Sequence, residues 1–287
     1  MKSLPKQLVI DKDVFHGTDH SILCKFTKNH LLILPDVLLY ECLTTQKNKG
    51  QLLSRCRQMV LAGARVCPSL KTIVQAEVAA LVPYGSLVNR EWNHALRETF
   101  ITDASPYDLK VIERRCTEDR LFVHHLQQTI NGSLSHFEIQ ESNLLDEVRK
   151  CDISKVGRTE RLVKWAEFVD SQDIHHVSEK LLKGITNRPE EFCLSDEWVS
   201  WDIVRVFGIW MLEINFSRQT GGEIGERNLE HDWQDIAYVS LLSRADGLLT
   251  KDKKLVKPLA KAAFPDKDLF SSLDEVPDEY ICDLNYH

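Results

Sequence analysis

The sequence predicts an α/β protein, a parallel sheet flanked by helices, with a large all-helical insertion. Two observations near the ends of the chain and one in its middle support this. Gln7-Leu8-Val9-Ile10 and Leu31-Leu32-Ile33-Leu34 are short aliphatic runs, each followed by a helix-like segment, and that rhythm belongs to a parallel sheet. Gly247-Leu248-Leu249-Thr250 resumes it late in the chain. Between them, from about Lys47 to Gly222, apolar residues recur at helical spacing, as in Leu52/Leu53, Cys56, Val60 and again in Leu162/Val163, Ala166, Val169. The expected organisation is a discontinuous core, residues 1–46 and 225–287, around a helical subdomain of residues 47–224.

Each element follows from its residues. The first run is mostly β-branched and aliphatic, as in a strand buried on both faces, and it ends in Asp11. Asp11-Lys12-Asp13 then opens a helix expected to reach about Lys28. The second run stops at Pro35-Asp36 and passes into a helix holding Val37, Leu38, Tyr40, Glu41 and Leu43. Breaks in the insertion fall at Pro68, Pro83-Tyr84-Gly85, Ser105-Pro106, Asn131-Gly132-Ser133, Gly157, Gly184 and Pro189. Ser195-Asp196-Glu197 is expected to cap a helix running to Arg218, since a short polar side chain and an acidic first turn suit a helix N-terminus. A helix over Leu229–Arg244, the strand 247–250, a helix over Lys253–Ala263 and an edge strand at Leu269-Phe270 complete the expected series.

Composition narrows the function. At 287 residues with 43% hydrophobic and 28% charged residues, the chain can bury a sizeable core and is neither disordered nor membrane-like. Its net charge of −7 excludes a uniformly basic surface, so any nucleic-acid contact must come from a local patch. The eight cysteines are scattered without a C-x-x-C pair, and we read them as reduced core residues and not as zinc ligands or disulfides. The absence of a signal-like h-region or a bilayer-length apolar run gives a cytoplasmic expectation, with no membrane partner.

Acidic residues recur where such a sheet gathers its ligands. Asp11, Glu41 and Asp252 sit at the C-terminal end of a strand or in the helix that follows, and Asp235 lies in the helix before the last clear strand. Clustered carboxylates repel one another unless a cation sits among them, and their hard oxygens suit Mg²⁺ or Mn²⁺. Such an ion can make a nucleophile of bound water and stabilise charge on a phosphodiester.

In these residues the chain resembles the PIN domain nucleases. The similarity lies in Leu8-Val9-Ile10-Asp11, in Leu34-Pro35-Asp36-Val37-Leu38-Leu39-Tyr40-Glu41, in Asp235-Ile236-Ala237-Tyr238-Val239, and in Ala245-Asp246-Gly247-Leu248-Leu249-Thr250-Lys251-Asp252. It covers residues 6–46 and 225–275. The resemblance implies a PIN-like fold and an endonuclease, with Asp11, Glu41, Asp235 and Asp252 as the metal-binding and catalytic set and Thr250 supporting the site. It also implies a nucleic-acid substrate, RNA before DNA. The stretch between Glu41 and Asp235 is far longer than in a minimal member, and Asp13 stands where the family often has a neutral polar residue. Asp13 either adds a carboxylate or caps a helix. Lys12, Lys251 and Lys253, with Lys254 and Lys257, flank the expected cleft as candidate phosphate contacts. The insertion suggests a regulatory protein partner.

Bland readings stand beside these. Asp11 and Asp252 are also ordinary helix caps, Glu41 an ordinary helix residue, and Asp235 a partner for Arg227 or Arg244. Asp232, one turn before Asp235, is its rival. His124-His125 and His175-His176 diverge on a helix and are not expected to share a metal. The stripe Trp198, Trp201, Val204, Gly208, Met211 reads as core. Arg158, Arg161 and Lys164, interleaved with Glu160 and Glu167, read as a mixed surface before a phosphate ridge. Two other functions remain open: a non-catalytic PIN-like scaffold binding proteins through its insertion, and a haloacid-dehalogenase-like phosphatase using Asp11 and Asp13, whose late Gly-Asp motif is missing because Asp246-Gly247 precedes its strand.

Overall fold

The computed structural model describes residues 5–44, 49–88, 114, 117, 156–171, 196–219 and 226–282. In chain order the elements are β1 (Gln7–Ile10), α1 (Lys12–Gly17), α2 (His20–Thr27), β2 (Leu31–Pro35), α3 (Asp36–Thr44), α4 (Lys49–Ala62), β3 (Arg65–Cys67) and α5 (Leu70–Ala80). They continue with α6 (Arg158–Ser171), α7 (Val199–Gln219), α8 (Glu226–Ser240), β4 (Gly247–Leu249), α9 (Val256–Ala263) and β5 (Asp268–Phe270). The five strands form one sheet in the order β3-β2-β1-β4-β5, and every pairing is parallel.

Burial explains why these runs are strands. Leu8, Val9, Ile10, Leu32, Ile33 and Leu34 are all 0% exposed, so both faces of β1 and β2 are covered and nothing requires the alternation of a half-wet sheet. β1 sits at the centre. From it the chain steps outward through β2 to β3 on one side, then returns to place β4 and β5 on the other. The reversal falls between β1 and β4, and the crevice beyond their C-terminal ends is where an open α/β sheet gathers its ligands.

Three elements depart from the sequence reading. The helix expected from Asp11 to Lys28 is two, because Asp19 ends the first run and caps α2, its side chain accepting from the Ser21 amide. The strand β3 lies in the stretch read as wholly helical; Arg65-Val66-Cys67 is only three residues long and lacked a repeat by which to be seen. A boundary at residue 47 therefore does not separate sheet from helices. The helix expected to open at Ser195-Asp196-Glu197 begins at Val199, with Asp196 and Glu197 in the preceding turn.

What caps α7 comes from far away in sequence. Glu77 on α5 is 1% exposed and accepts the Val199 amide at 2.9 Å on Oε1 and the Ser200 amide at 2.9 Å on Oε2. The Ser200 hydroxyl also donates to Oε2, and the Tyr84 amide donates to Oε1 at 2.8 Å. An anion at this end of the helix satisfies orphan amides and complements the helix dipole.

The described helices of the long middle region pack against those of the core. α6 packs against both α7 and α9, and α7 against α5 and α8. Glu213 of α7 binds two of these helices together: it is 1% exposed, takes Arg161 on both oxygens at 2.7 and 3.1 Å, and accepts from Trp165 Nε1 at 3.1 Å. Arg161 is thus committed to structure, and Lys164 faces Glu160 at 3.8 Å, so the mixed reading of this helix holds and its phosphate ridge does not. Trp198, Val204 and Met211 are buried and Trp201 packs on them, as core. Cys42, Cys56 and Cys67 are buried thiols and Cys24 and Cys282 are half-buried, all unbridged; Cys116, Cys151 and Cys193 lie outside the described residues, as do both histidine pairs. No helix among the described residues is long and apolar enough to cross a membrane.

Candidate functional site

Strand register builds the first half of the site. Ile10 pairs with Leu249, and the Asp11 amide donates to the Leu249 carbonyl at 2.9 Å, which sets Asp11 beside Thr250 just past the strand ends. The Thr250 hydroxyl donates to Asp11 Oδ2 at 2.5 Å and accepts from the Asp252 amide at 3.1 Å. Thr250 is fully buried, so its hydroxyl has a fixed direction: proton toward Asp11, lone pair toward the turn that carries Asp252. Thr250 thus links Asp11 to the turn that carries Asp252.

Asp252 shows the bland function as well. Its Oδ1 accepts from the Lys254 and Leu255 amides at 2.7 Å each and from the Val256 amide at 3.3 Å, holding the turn that leads into α9. The helix opens at Val256 and not at Lys253 because residues 253–255 form this turn around the carboxylate.

Glu41 and Asp235 come from α3 and α8, two helices in contact with each other. Glu41, on α3, is 7% exposed; Lys12 Nζ lies 2.9 Å from its Oε1, and the Tyr238 hydroxyl donates to its Oε2 at 2.7 Å. Tyr238 follows Asp235 by three residues on α8, so one helical face presents both toward the sheet edge. Arg244, the other partner considered for Asp235, instead donates to the Tyr84 and Ser243 carbonyls.

The charges feel one another. Asp235 is pushed up to about 9, first by burial and then by Asp11, Asp252, Glu41 and Asp232. Asp11 is pushed up to about 7, mainly by burial, with the Thr250 hydrogen bond opposing and Glu41 and Asp13 adding. Glu41 is raised by burial, against the pull of Lys12 and Tyr238. All the leading influences on Asp235 act in one direction, toward the protonated form.

The four acids singled out from sequence thus share one electrostatic neighbourhood at the strand-order reversal. Asp232 touches its margin: its Oδ2 accepts from Trp210 Nε1 at 3.1 Å, which turns it toward α7, while Asp252 and burial still raise it. Asp13 is exposed on the first turn of α1 and acts on Asp11 and Glu41 only through its charge. Among the lysines, Lys12 is half-buried on Glu41; Lys251 and Lys253 are exposed, Lys251 with its Nζ against Gly17. Lys257 donates to Ser271, away from the acids.

The oxygen donors suit a hard divalent cation, and their mutual repulsion is what such an ion would relieve. They are not preassembled. Among the described residues no group of three histidine, cysteine, aspartate or glutamate side chains is placed to hold a metal as it stands. Lys12 and Tyr238 hold Glu41, and the start of α9 holds one oxygen of Asp252, so a cation requires side chains to turn.

Sequence reasoning missed one member of this neighbourhood and one contact within it. Tyr238 was read only as part of an aliphatic pattern, although a tyrosine three residues beyond a candidate acid is a signal for a second hydroxyl in the site. The Lys12–Glu41 ion pair joins residues 29 apart and had no local signature.

Compared with known proteins, the chain matches no family model, no curated protein and no solved structure.

Proposed function

We propose that the chain is a metal-dependent nuclease that hydrolyses phosphodiester bonds, with RNA as the expected substrate. The observation that carries this reading is the convergence of Asp11, Glu41, Asp235 and Asp252, from four separate stretches, on the strand-order reversal, with Asp235 pushed up to about 9 by burial and then by the other acids. A structural role alone gives no reason to bury mutually repelling carboxylates at the ligand-binding edge of a sheet. The PIN-like resemblance points to the same four residues.

In this reading Asp11, Asp235 and Asp252, with Glu41 once it is released from Lys12, would hold Mg²⁺ or Mn²⁺. The ion would lower the pKa of bound water and neutralise charge on the scissile phosphate. The chain's own groups do the positioning. Thr250 keeps the Asp11 carboxylate oriented and biases it toward the ionised form. Asp252 is held by the amides of its turn. Lys251 and Lys253, exposed at the rim, supply positive charge where a phosphate backbone would approach a chain that is acidic overall.

The phosphatase alternative has less support. Asp246 accepts the Gln7 amide at 2.7 Å, at the opposite end of the sheet from Asp11, and so does not face Asp11 as a second acidic motif would. The scaffold alternative has lost none of the four acids to point to. Incubation with labelled single-stranded RNA and DNA of matched sequence, in Mg²⁺, Mn²⁺ and EDTA, should give cleavage in the divalent ions, none in EDTA, and RNA cut faster than DNA. Intact substrates in every condition, from protein of native circular dichroism, would favour the scaffold.

A further inference from the structure

The acid cluster already holds a cation of its own. Lys12 follows Asp11 directly and turns back over the site, its ammonium 2.9 Å from Glu41 Oε1. The carboxylate is buried, with a side chain 8% exposed, while the lysine side chain stays 30% open to solvent. The two ends of this contact are therefore unequal: Glu41 is locked between Lys12 and Tyr238, and Lys12 is a flexible stem with room to leave. Tyr238 is fully buried and would remain to orient Glu41 afterwards.

We propose that Lys12 is a built-in counter-cation that occupies the divalent ion's place on Glu41 and must be displaced from it on metal binding, so that Lys12 sets the metal affinity of the site. The proposal rests on the metal-binding reading above and concerns the same cluster. It accounts for two features together. Glu41 stays buried beside the other acids because an ammonium is paired with it, and with Lys12 on Glu41 and the turn into α9 on Asp252, no three acids among the described residues stand ready to ligate. A lysine suits the task better than an arginine fixed by a bidentate fork, since a single ammonium contact breaks without disturbing a planar pair.

The consequence is a competition that can be measured without turnover. A positive charge removed from within a few ångströms of a divalent ion should tighten binding about tenfold to a hundredfold at the effective dielectric of a protein surface. The experiment is calorimetric titration of MnCl₂ into the full chain at fixed pH and ionic strength, for wild type, Lys12→Met, Lys12→Gln, Lys12→Arg and Glu41→Gln, and for Lys12→Met combined with Glu41→Gln. Urea unfolding verifies that each variant is folded, and Lys12→Gln stands in if Lys12→Met is not. Lys12→Met and Lys12→Gln should bind Mn²⁺ at least about tenfold more tightly, whereas Lys12→Arg, which keeps the charge and can fork onto Glu41, should bind no more tightly than wild type. The gain should shrink in the Glu41→Gln background, because the contested oxygen is gone. Wild-type binding that Lys12→Met leaves unchanged or weakens would overturn the role of Lys12 while leaving the metal site standing. No Mn²⁺ binding by the wild type would overturn both.

Discussion

Replacing Asp235 by asparagine should stabilise the metal-free protein at pH 8 by about 2–4 kcal/mol, an uncommon direction for a polar substitution on a core helix. The sign follows from linkage. The folded-state pKa of Asp235 is raised from 3.8 to about 9, so the folded chain holds a proton that the unfolded chain releases. Below about pH 4 both states are protonated and the group contributes nothing. As pH rises toward 9 the penalty grows, and beyond 9 it levels off. Asparagine mimics the neutral carboxyl and escapes the penalty, so its advantage should be large at pH 8 and fade toward pH 4. Urea titrations in EDTA at pH 5 and pH 8 measure it. A wild type as stable as the variant at both pH values would mean that neither burial nor the neighbouring carboxylates raise Asp235. The same substitution should weaken Mn²⁺ binding, which is the trade expected of a site that spends stability on function.

Glu77→Ala should destabilise the fold by about 3–5 kcal/mol, because it strands buried donors as well as removing a charge. Glu77 serves the Val199, Ser200 and Tyr84 amides and the Ser200 hydroxyl, and so ties α5 and the segment after it to the first turn of α7. The gap in sequence between Glu77 and Ser200 is 123 residues, so the effect is on tertiary structure and not on local helix propensity. Glu77→Gln should fall between wild type and alanine, since the amide keeps one acceptor oxygen and loses the anion that favours a helix N-terminus. Chemical denaturation of the three proteins orders them. A loss below about 1 kcal/mol for alanine would place those amides in contact with water instead.

These two residues also show what can be read along a chain of this kind. Asp235 could be found because its chemistry is local: an acid followed by Ile236, Ala237, Tyr238 and Val239, all buried, on a helix that must face the sheet. β1, β2 and β4 could be found because full burial forces aliphatic runs, and the acids just past them because strand ends and helix starts are short-range features. Glu77 could not be found, since an acidic residue amid the apolar spacing of α5 looks like its solvated edge until α7 folds onto it. β3 escaped because three residues carry no period, and the break between α1 and α2 because Asp19 resembles any other polar helix residue until its side chain caps the next helix. The strand order, with its reversal between β1 and β4, is a property of the whole chain that no segment announces.

The pairing of Lys12 with Glu41 belongs to that second kind of information, and it alters what the four acids mean. From the sequence they form a ready ligand set; in the structure one is held by an ammonium and a phenol and another by the start of a helix. Asp11, only 4% exposed and oriented by Thr250, carries neither of these duties.

Asp11 is therefore where the nuclease reading is tested most directly. Single-turnover cleavage of labelled RNA in Mn²⁺ should fall by about 10²–10³-fold or more in Asp11→Asn, a change that keeps the shape of the side chain and an acceptor for the Thr250 hydroxyl while removing the charge. Cleavage that survives at the wild-type rate in folded Asp11→Asn would contradict the account, because the activity would then belong to some other part of the chain or to a contaminant.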